Sequence, residues 1–288
     1  MVRSNRQQPI SFLKSWLFTP ATQSGRFARA AEVHVDALIV DLEDAVAPSE
    51  KKQARKAALQ YLEGISGDHI PCALRINAPG TRAGFDDIQA LLNSSAEPDY
   101  LILPKCDSSA IVNLIYSLLR EADKAANVIA LIETAKGVAA LSDIASARVK
   151  PAALLFGAAD MSADLGAAGG WEPLLWCRSS IIHAAACEEI AVLDSPYFEI
   201  GDVEGLRREA KASASLGFTG KCAIHPAQVA TINEVFTPSE EEVTRARQIL
   251  MANQNGAGTV DHQMVDEAIA RKARLILARA GIAVGIEA

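Results

Sequence analysis

The sequence predicts an α/β fold, a (β/α)8 TIM barrel with a C-terminal helical extension. Three observations predict it: the length, the count of short apolar runs, and where the polar residues of those runs fall. At 288 residues the chain exceeds the usual domain but fits the ~250 residues of one barrel plus an appendage. Eight β-branched or aliphatic runs, each followed by a helix-like stretch, stand at 15–20, 37–44, 72–78, 100–106, 128–134, 153–160, 191–197 and 217–225. A doubly wound open sheet would normally stop near six strands and carry a Gly-rich fingerprint after the first, and no G-x-G-x-x-G follows strand one.

Taken in order, the polar residues collect at the carboxyl ends of the runs. Asp41, Glu43 and Asp44 close the second, Arg75 and Asn77 the third, Lys105 the fourth, Glu133 the fifth and Asp160 the sixth. In a barrel those ends form one face, so separate loops aim these groups at a single pocket. Between runs four and five, Ile111, Leu114, Ile115 and Leu118 recur at helical spacing, with Ser108 or Ser109 as the expected cap. After the eighth run, a Pro-Ser-Glu-Glu signal starts a helix near 239–253, a Gly-rich connector spans 255–258, and another helix is expected from about 264. The expected domains are a catalytic barrel over 1–236 and a helical lid or extension over 237–288.

Half the residues are apolar and 22% are charged, an ordinary balance for a packed core. The net charge of −7 argues against nucleic acid or an anionic membrane as partner. No apolar run approaches the ~18 residues of a membrane span, and the N-terminus lacks a signal-type apolar stretch, so a cytoplasmic protein is expected. Cys72, Cys106, Cys177, Cys187 and Cys222 form no C-x-x-C pair and read as reduced, mostly buried thiols.

Glu133 and Asp160 lie about one βα unit apart and should stand side by side at the barrel mouth. Two hard carboxylates with open positions between them suit Mg²⁺, while ordinary ion pairs or helix caps are the competing reading. Arg75 sits inside an apolar strand, where a guanidinium needs an anion. That anion is either a substrate carboxylate or developing enolate, or a buried structural partner such as Glu43 or Asp44, and the two readings are compatible. The Asp41, Glu43 and Asp44 cluster implies a nearby cation, with Lys51 or Arg55 as candidate pairs. Lys105 is placed to pair with one of these acids or, less favourably, to form a Schiff base. His225, alone before a proline, reads as a hydrogen-bonded structural residue.

These residues also carry a resemblance. Trp16-Leu-Phe-Thr-Pro, Asp41-Leu-Glu-Asp-Ala-Val, Leu74-Arg-Ile-Asn, Leu103-Pro-Lys, Leu131-Ile-Glu-Thr-Ala-Lys-Gly, Phe156-Gly-Ala-Ala-Asp with Asp164-Leu-Gly, Gly220-Lys-Cys-Ala-Ile-His-Pro and Met264-Val-Asp resemble, in order, the HpcH/HpaI aldolase family in its citrate lyase beta-subunit-like branch. The resemblance implies a Mg²⁺-dependent carbon–carbon lyase acting on citryl-, malyl- or citramalyl-CoA-like 3-hydroxy-acyl thioesters, releasing a 2-oxo acid or oxaloacetate. It implies Glu133 and Asp160 as metal ligands, Arg75 and Glu133 as substrate contacts, and Arg75 with Asp266 as the catalytic pair. It further implies a homotrimer or hexamer in which Asp266, in the C-terminal lid, serves as acid/base, often on an adjacent subunit. The chain departs from the family at Ala21, after Pro20, and at His262, after Asp261, where glycine is common. The competing functions are a class II aldolase on free hydroxy-oxo acids, a malyl-CoA-type thioesterase, and a non-catalytic subunit of a lyase assembly.

Overall fold

A computed structural model describes residues 9–65, 69–253, 258–261 and 263–282. The N-terminal arginines, connector residues 255–257 and His262 lie outside the described residues. The chain divides into two compact units, Met1–Asn233 and Glu234–Ala288.

In the first unit β1 (Ser15–Pro20) leads through α1 (Phe27–Ala30) to β2 (Ala37–Asp41) and α2 (Lys51–Gly64). Next come β3 (Cys72–Arg75), α3 (Arg82–Leu92), β4 (Tyr100–Leu103) and α4 (Ser109–Glu121). β5 (Asn127–Ile132) is followed by the short helices α5 (Ala135–Ala139) and α6 (Leu141–Ala145). β6 (Ala153–Phe156) precedes α7 (Ala158–Leu165) and α8 (Leu175–Glu188), then come β7 (Ala191–Asp194), α9 (Val203–Leu216) and β8 (Gly220–Ala223), and α10 (Val229–Phe236) runs across the boundary between the units. The eight strands pair in parallel in chain order, and β8 returns to β1, so the barrel closes and no sheet edge is left.

Strand alternation explains why a packed core ends in a polar mouth. Ala37 and Ile39 on β2, Ala73 on β3, Ile129 and Leu131 on β5 and Leu155 on β6 all belong to the buried interior cluster. The period of two carries the same face onward to Asp41 and Arg75, so the interior changes from apolar to charged at the strand ends. The strands stop earlier than the sequence suggests, because the ladder needs only four to six residues each and the polar segments then turn into loops. Asp160 is corrected by this: it is not a strand residue but stands in the first turn of α7, since Gly157 breaks the strand and Ala158-Ala159 favour helix. The cap of α4 also differs from expectation. Ser108 occupies the N-cap without a side-chain bond, and the Ser109 amide and hydroxyl donate instead to Asp143, at 2.8 Å each.

Outside the strands, between sheet and helices, lies an ion network that the sequence reading did not single out. Asp194 and Lys221 are register partners on β7 and β8, both with side chains 0% exposed. Lys221 Nζ donates to Asp194 Oδ2 (2.8 Å), Glu209 Oε1 (2.8 Å) and the Ser195 carbonyl (2.7 Å). Arg178 Nε donates to Asp194 Oδ1 at 3.0 Å, and Ser213 Oγ donates to the same carboxylate. The Arg178 guanidinium carbon lies over the rings of Phe156 (4.7 Å) and Trp171 (4.6 Å). Burial alone would raise the Asp194 carboxyl, but the Lys221 and Arg178 charges outweigh it and hold it below its usual range.

Because the folded value is depressed, the stability Asp194 contributes is present above the unfolded-carboxylate range, ~4, and is lost as pH falls through the lowered folded value. Acid unfolding followed by circular dichroism should therefore begin below about pH 4, and Asp194→Ala should cost about 3–5 kcal/mol at neutral pH by stranding two buried cations. A cost under about 1 kcal/mol in a denaturant titration would mean the network contributes little.

In the second unit α11 (Glu240–Ala252) is capped by Ser239, whose hydroxyl accepts from Glu242 N while Glu242 accepts from Ser239 N. β9 (Gly258–Val260) and β10 (Gln263–Val265) form an antiparallel hairpin, followed by α12 (Glu267–Arg279). The helix expected from about 264 thus starts three residues later, since Met264 and Val265 pair with β9 instead. Ala246, Ala273 and Leu277 form the small core between α11 and α12.

Candidate active site

The carboxyl ends of the strands surround a cavity of about 430 Å³, lined among its charged groups by Asp41, Asp44, Arg75, Glu133 and Asp160. Pairing register brings the first of these together. Asp41 and Arg75 are Cα partners on β2 and β3, and the guanidinium grips the carboxylate with both Nε and Nη2 at 2.7 Å. Nη1 is directed toward Glu43 Oε2 (3.2 Å) and Asp44 Oδ2 (3.5 Å), and the ring of Phe18 lies 4.7 Å from the guanidinium carbon. Arg75 therefore has the buried anionic partner that the sequence requires, Asp41, with Glu43 and Asp44 beyond it. It is structurally paired, and it lines the cavity.

Glu133 follows β5 directly and is 2% exposed. One of its oxygens accepts from the Lys105 amide at 2.9 Å. Lys105 holds a left-handed backbone (φ 52°), a conformation that costs a non-glycine residue energy and that here aims the amide at Glu133. On the other side Gly157 permits close approach: a Cβ there would come within 2.5 Å of Glu133 Cβ. That contact lets the start of α7 place Asp160 beside Glu133.

The Lys105 ammonium makes the convergence visible. Its Nζ lies 2.9 Å from Glu43 Oε1, 3.6 Å from Glu133 Oε1 and 3.5 Å from Asp160 Oδ1, so three carboxylates, two from just after β2 and β5 and one from the helix start after β6, face one point. Burial would lower this ammonium, but the hydrogen bond to Glu43 and the charges of Glu133 and Asp160 together raise it. A Schiff base needs a neutral amine, so this environment opposes that role. Glu133 is pushed up to about 8, first by burial and then by the charges of Glu43 and Asp160. Glu43 is likewise raised by burial, and its Oε2, although near Arg75, has no aligned hydrogen-bond donor.

This donor set fits a divalent cation. The carboxylates of Asp41, Glu43, Asp44, Glu133 and Asp160 outnumber the nearby Arg75, Lys105 and Lys51 cations by two. Hard carboxylate oxygens beside an open cavity are the conditions under which Mg²⁺ binds through one or two carboxylates. Among the described residues no group of three or more His, Cys, Asp or Glu side chains is placed to hold a metal ion, so an ion here would rest on one or two carboxylates.

The remaining candidates make no side-chain bond to these carboxylates. Lys51 donates not to the acids' carboxylates but to the Leu42 and Glu43 carbonyls, fixing the loop after β2. Arg55 pairs with buried Asp87, which also accepts from the Asn77 amide and side chain and so anchors the loop after β3. Asp87 was not singled out from sequence, and an acid inside an amphipathic helix gives no strong signal of its own. His225 accepts from Ala227 N through Nδ1 within a capping box completed by Gln228, as its structural reading expects. Cys106 is buried, which pushes its thiol up to about 12 and leaves it unreactive. Asp266, in the second unit, caps α12 by accepting from Ile269 N at 3.0 Å and is exposed.

Fold and site together define a (β/α)8 barrel with an acidic cavity at the carboxyl ends of its strands. The chain belongs to the HpcH/HpaI aldolase/citrate lyase family, whose model matches residues 14–226, and a model described as a C–C bond lyase of the TIM-barrel fold matches 177–283. It is similar to the L-malyl-CoA/beta-methylmalyl-CoA lyase of Rhodobacter capsulatus, at 33% identity over 98% of either chain. Among solved structures it resembles RipC from Yersinia pestis, at 42% identity and TM-score 0.72, over 83% of this chain and 99% of that one. It also resembles CitE from Mycobacterium tuberculosis in complex with magnesium, acetoacetate and coenzyme A. The identity there is 35% and the TM-score 0.80, over 93% of this chain and 98% of that one. No helix among the described residues is long and apolar enough to cross a membrane.

Proposed function

We propose that this chain is a Mg²⁺-dependent carbon–carbon lyase that splits a 3-hydroxy-acyl-CoA thioester into a 2-oxo acid and an acyl-CoA, or joins them. The observation that carries this reading is the convergence of Glu133 and Asp160 at one cavity wall, beside an Arg75 locked in place by Asp41.

In the cleavage direction the substrate hydroxyl loses its proton and becomes the carbonyl of the 2-oxo acid. The bond to the thioester α-carbon breaks, its electron pair passes into the thioester enolate, and a proton is then delivered to that carbon. Mg²⁺ held by Glu133 and Asp160 would supply Lewis-acid polarisation of the oxo-acid oxygens. Arg75, prevented from rotating by its two bonds to Asp41, presents Nη1 as a preorganised donor for developing negative charge. The Lys105 amide fixes the Glu133 carboxylate, and the Lys105 side chain holds Glu43, Glu133 and Asp160 in register. The apolar walls exclude water, which protects the enolate and strengthens these charges.

In the finer reading the enzyme is a cytoplasmic homotrimer or hexamer, with 1–236 as catalytic barrel and 237–288 as lid. Asp266 is its acid/base at carbon, acting on the barrel of an adjacent subunit. Asp266→Ala and Arg75→Ala oligomers should then each be nearly inactive, and mixing them under subunit exchange should restore activity. Absence of complementation in proven mixed oligomers would confine Asp266 to capping α12.

The lyase reading is tested by incubating the purified protein with malyl-, citramalyl- and citryl-CoA and trapping the released 2-oxo acid, with Mg²⁺ and with EDTA. Metal-dependent release from at least one thioester supports it. Cleavage of free hydroxy-oxo acids alone would favour a class II aldolase.

A further inference from the structure

The two sides of the barrel mouth are held in different ways. Toward β2, β3 and β5 the charged groups fix one another through their own side chains. Toward β7 and β8 the cavity is lined by Pro196 and Phe198, from the loop after β7, and by Ile224, from the end of β8. These side chains carry no polar atom with which to anchor themselves. Phe198 is 52% exposed, so packing holds it only in part, and the backbone of this wall has to be fixed from elsewhere.

One buried side chain fixes both segments. Gln228, at the end of the 3₁₀ turn Pro226–Gln228, accepts through Oε1 from the Ile224 amide (2.9 Å) and the His225 amide (3.2 Å), and donates through Nε2 to the Tyr197 carbonyl (2.7 Å). Two N–H donors on one side and a carbonyl on the other leave the side-chain amide a single orientation. The capping box accounts for the bond to His225, but not for the bond to Tyr197, 31 residues away in sequence. Among the described residues that bond is the one hydrogen bond made to the backbone of residues 196–198. Lys221 holds the Ser195 carbonyl before them and Asp202 accepts from the Tyr197 hydroxyl, so the Gln228 amide is the tie at the middle of the wall.

We propose that Gln228 is a positioning residue, which locks the loop after β7 to the end of β8 and so sets the apolar wall of Pro196, Phe198 and Ile224 against which bound substrate packs. This rests on the lyase reading. Gln228 does not itself line the cavity and acts through those three residues. A wall ordered in advance spares the substrate the cost of ordering it on binding. The bonds of Gln228 go to none of Arg75, Glu133 and Asp160, so its loss is felt in the binding of substrate and not in the chemical step.

Gln228→Met keeps the side-chain volume and removes all three bonds. With the full chain, Mg²⁺ present and whichever of malyl-, citramalyl- and citryl-CoA the native protein cleaves, KM should rise about 10-fold while kcat stays within about 3-fold. Mg²⁺ affinity measured by calorimetry should not change. If that variant does not fold, Gln228→Glu decides. One of its oxygens still accepts from Ile224 and His225, while the other, as an anion, opposes the Tyr197 carbonyl and becomes a donor again only when protonated. Its KM, taken relative to the native protein at the same pH, should therefore be raised on the alkaline side and recover on acidification. An unchanged KM in the folded variant, or a loss of kcat and Mg²⁺ affinity together, would reduce Gln228 to a capping residue and overturn the inference while leaving the lyase reading intact. A native protein that cleaves none of the three thioesters would overturn the lyase reading and this inference with it.

Discussion

Glu133→Gln is expected to weaken Mg²⁺ binding and to lower kcat by roughly 10³-fold, the equivalent of about 4 kcal/mol of Lewis-acid stabilisation at the developing charge. Fold should be preserved, because the amide is isosteric and can still accept from the Lys105 amide, while a buried and unfavourably charged carboxylate is removed. Asp160→Asn should act in the same direction through the other carboxylate. Calorimetric Mg²⁺ titration of both variants separates metal loss from general damage. Unchanged affinity in both would remove these residues from the metal site, whatever their effect on turnover.

The second large effect is expected at Arg75. Arg75→Lys keeps the positive charge, yet an ammonium cannot hold both oxygens of Asp41 and also present a fixed donor to the cavity. A loss of roughly 10²-fold in kcat/KM is expected, in the range seen when one preorganised donor is removed from a developing oxyanion. Arg75 is also a buried structural partner, so thermal stability must be measured alongside. A variant that melts earlier but retains near-wild-type kcat/KM would assign Arg75 to structure alone.

The barrel and the polar residues at its mouth were legible because strand periodicity and the carboxyl-end position of Asp41, Arg75, Lys105 and Glu133 are local patterns. Asp160 was found by its spacing from Glu133 but assigned to the wrong element, since strand length is set by barrel closure rather than by the apolar run. The role of Lys105 was only half legible. Its pairing with an acid follows from charge, but its left-handed backbone and its contact with three carboxylates depend on loops distant in sequence. Lys221 carried the same signal as Arg75, a cation inside an apolar strand, and the same argument would have required a buried anion for it. That anion, Asp194, lies on the neighbouring strand and faces the helices rather than the mouth, a distinction that register decides. The hairpin of β9 and β10 was hidden because three-residue strands give no periodicity to read.

Which bond breaks is read by identifying the products by mass spectrometry. The purified protein, Mg²⁺ and one cleavable thioester should yield one 2-oxo acid and one acetyl-CoA for each thioester consumed, and EDTA should stop the production of both. Release of free CoA with an intact hydroxy acid would instead make the carbon–sulfur bond the one that breaks and the chain a thioesterase.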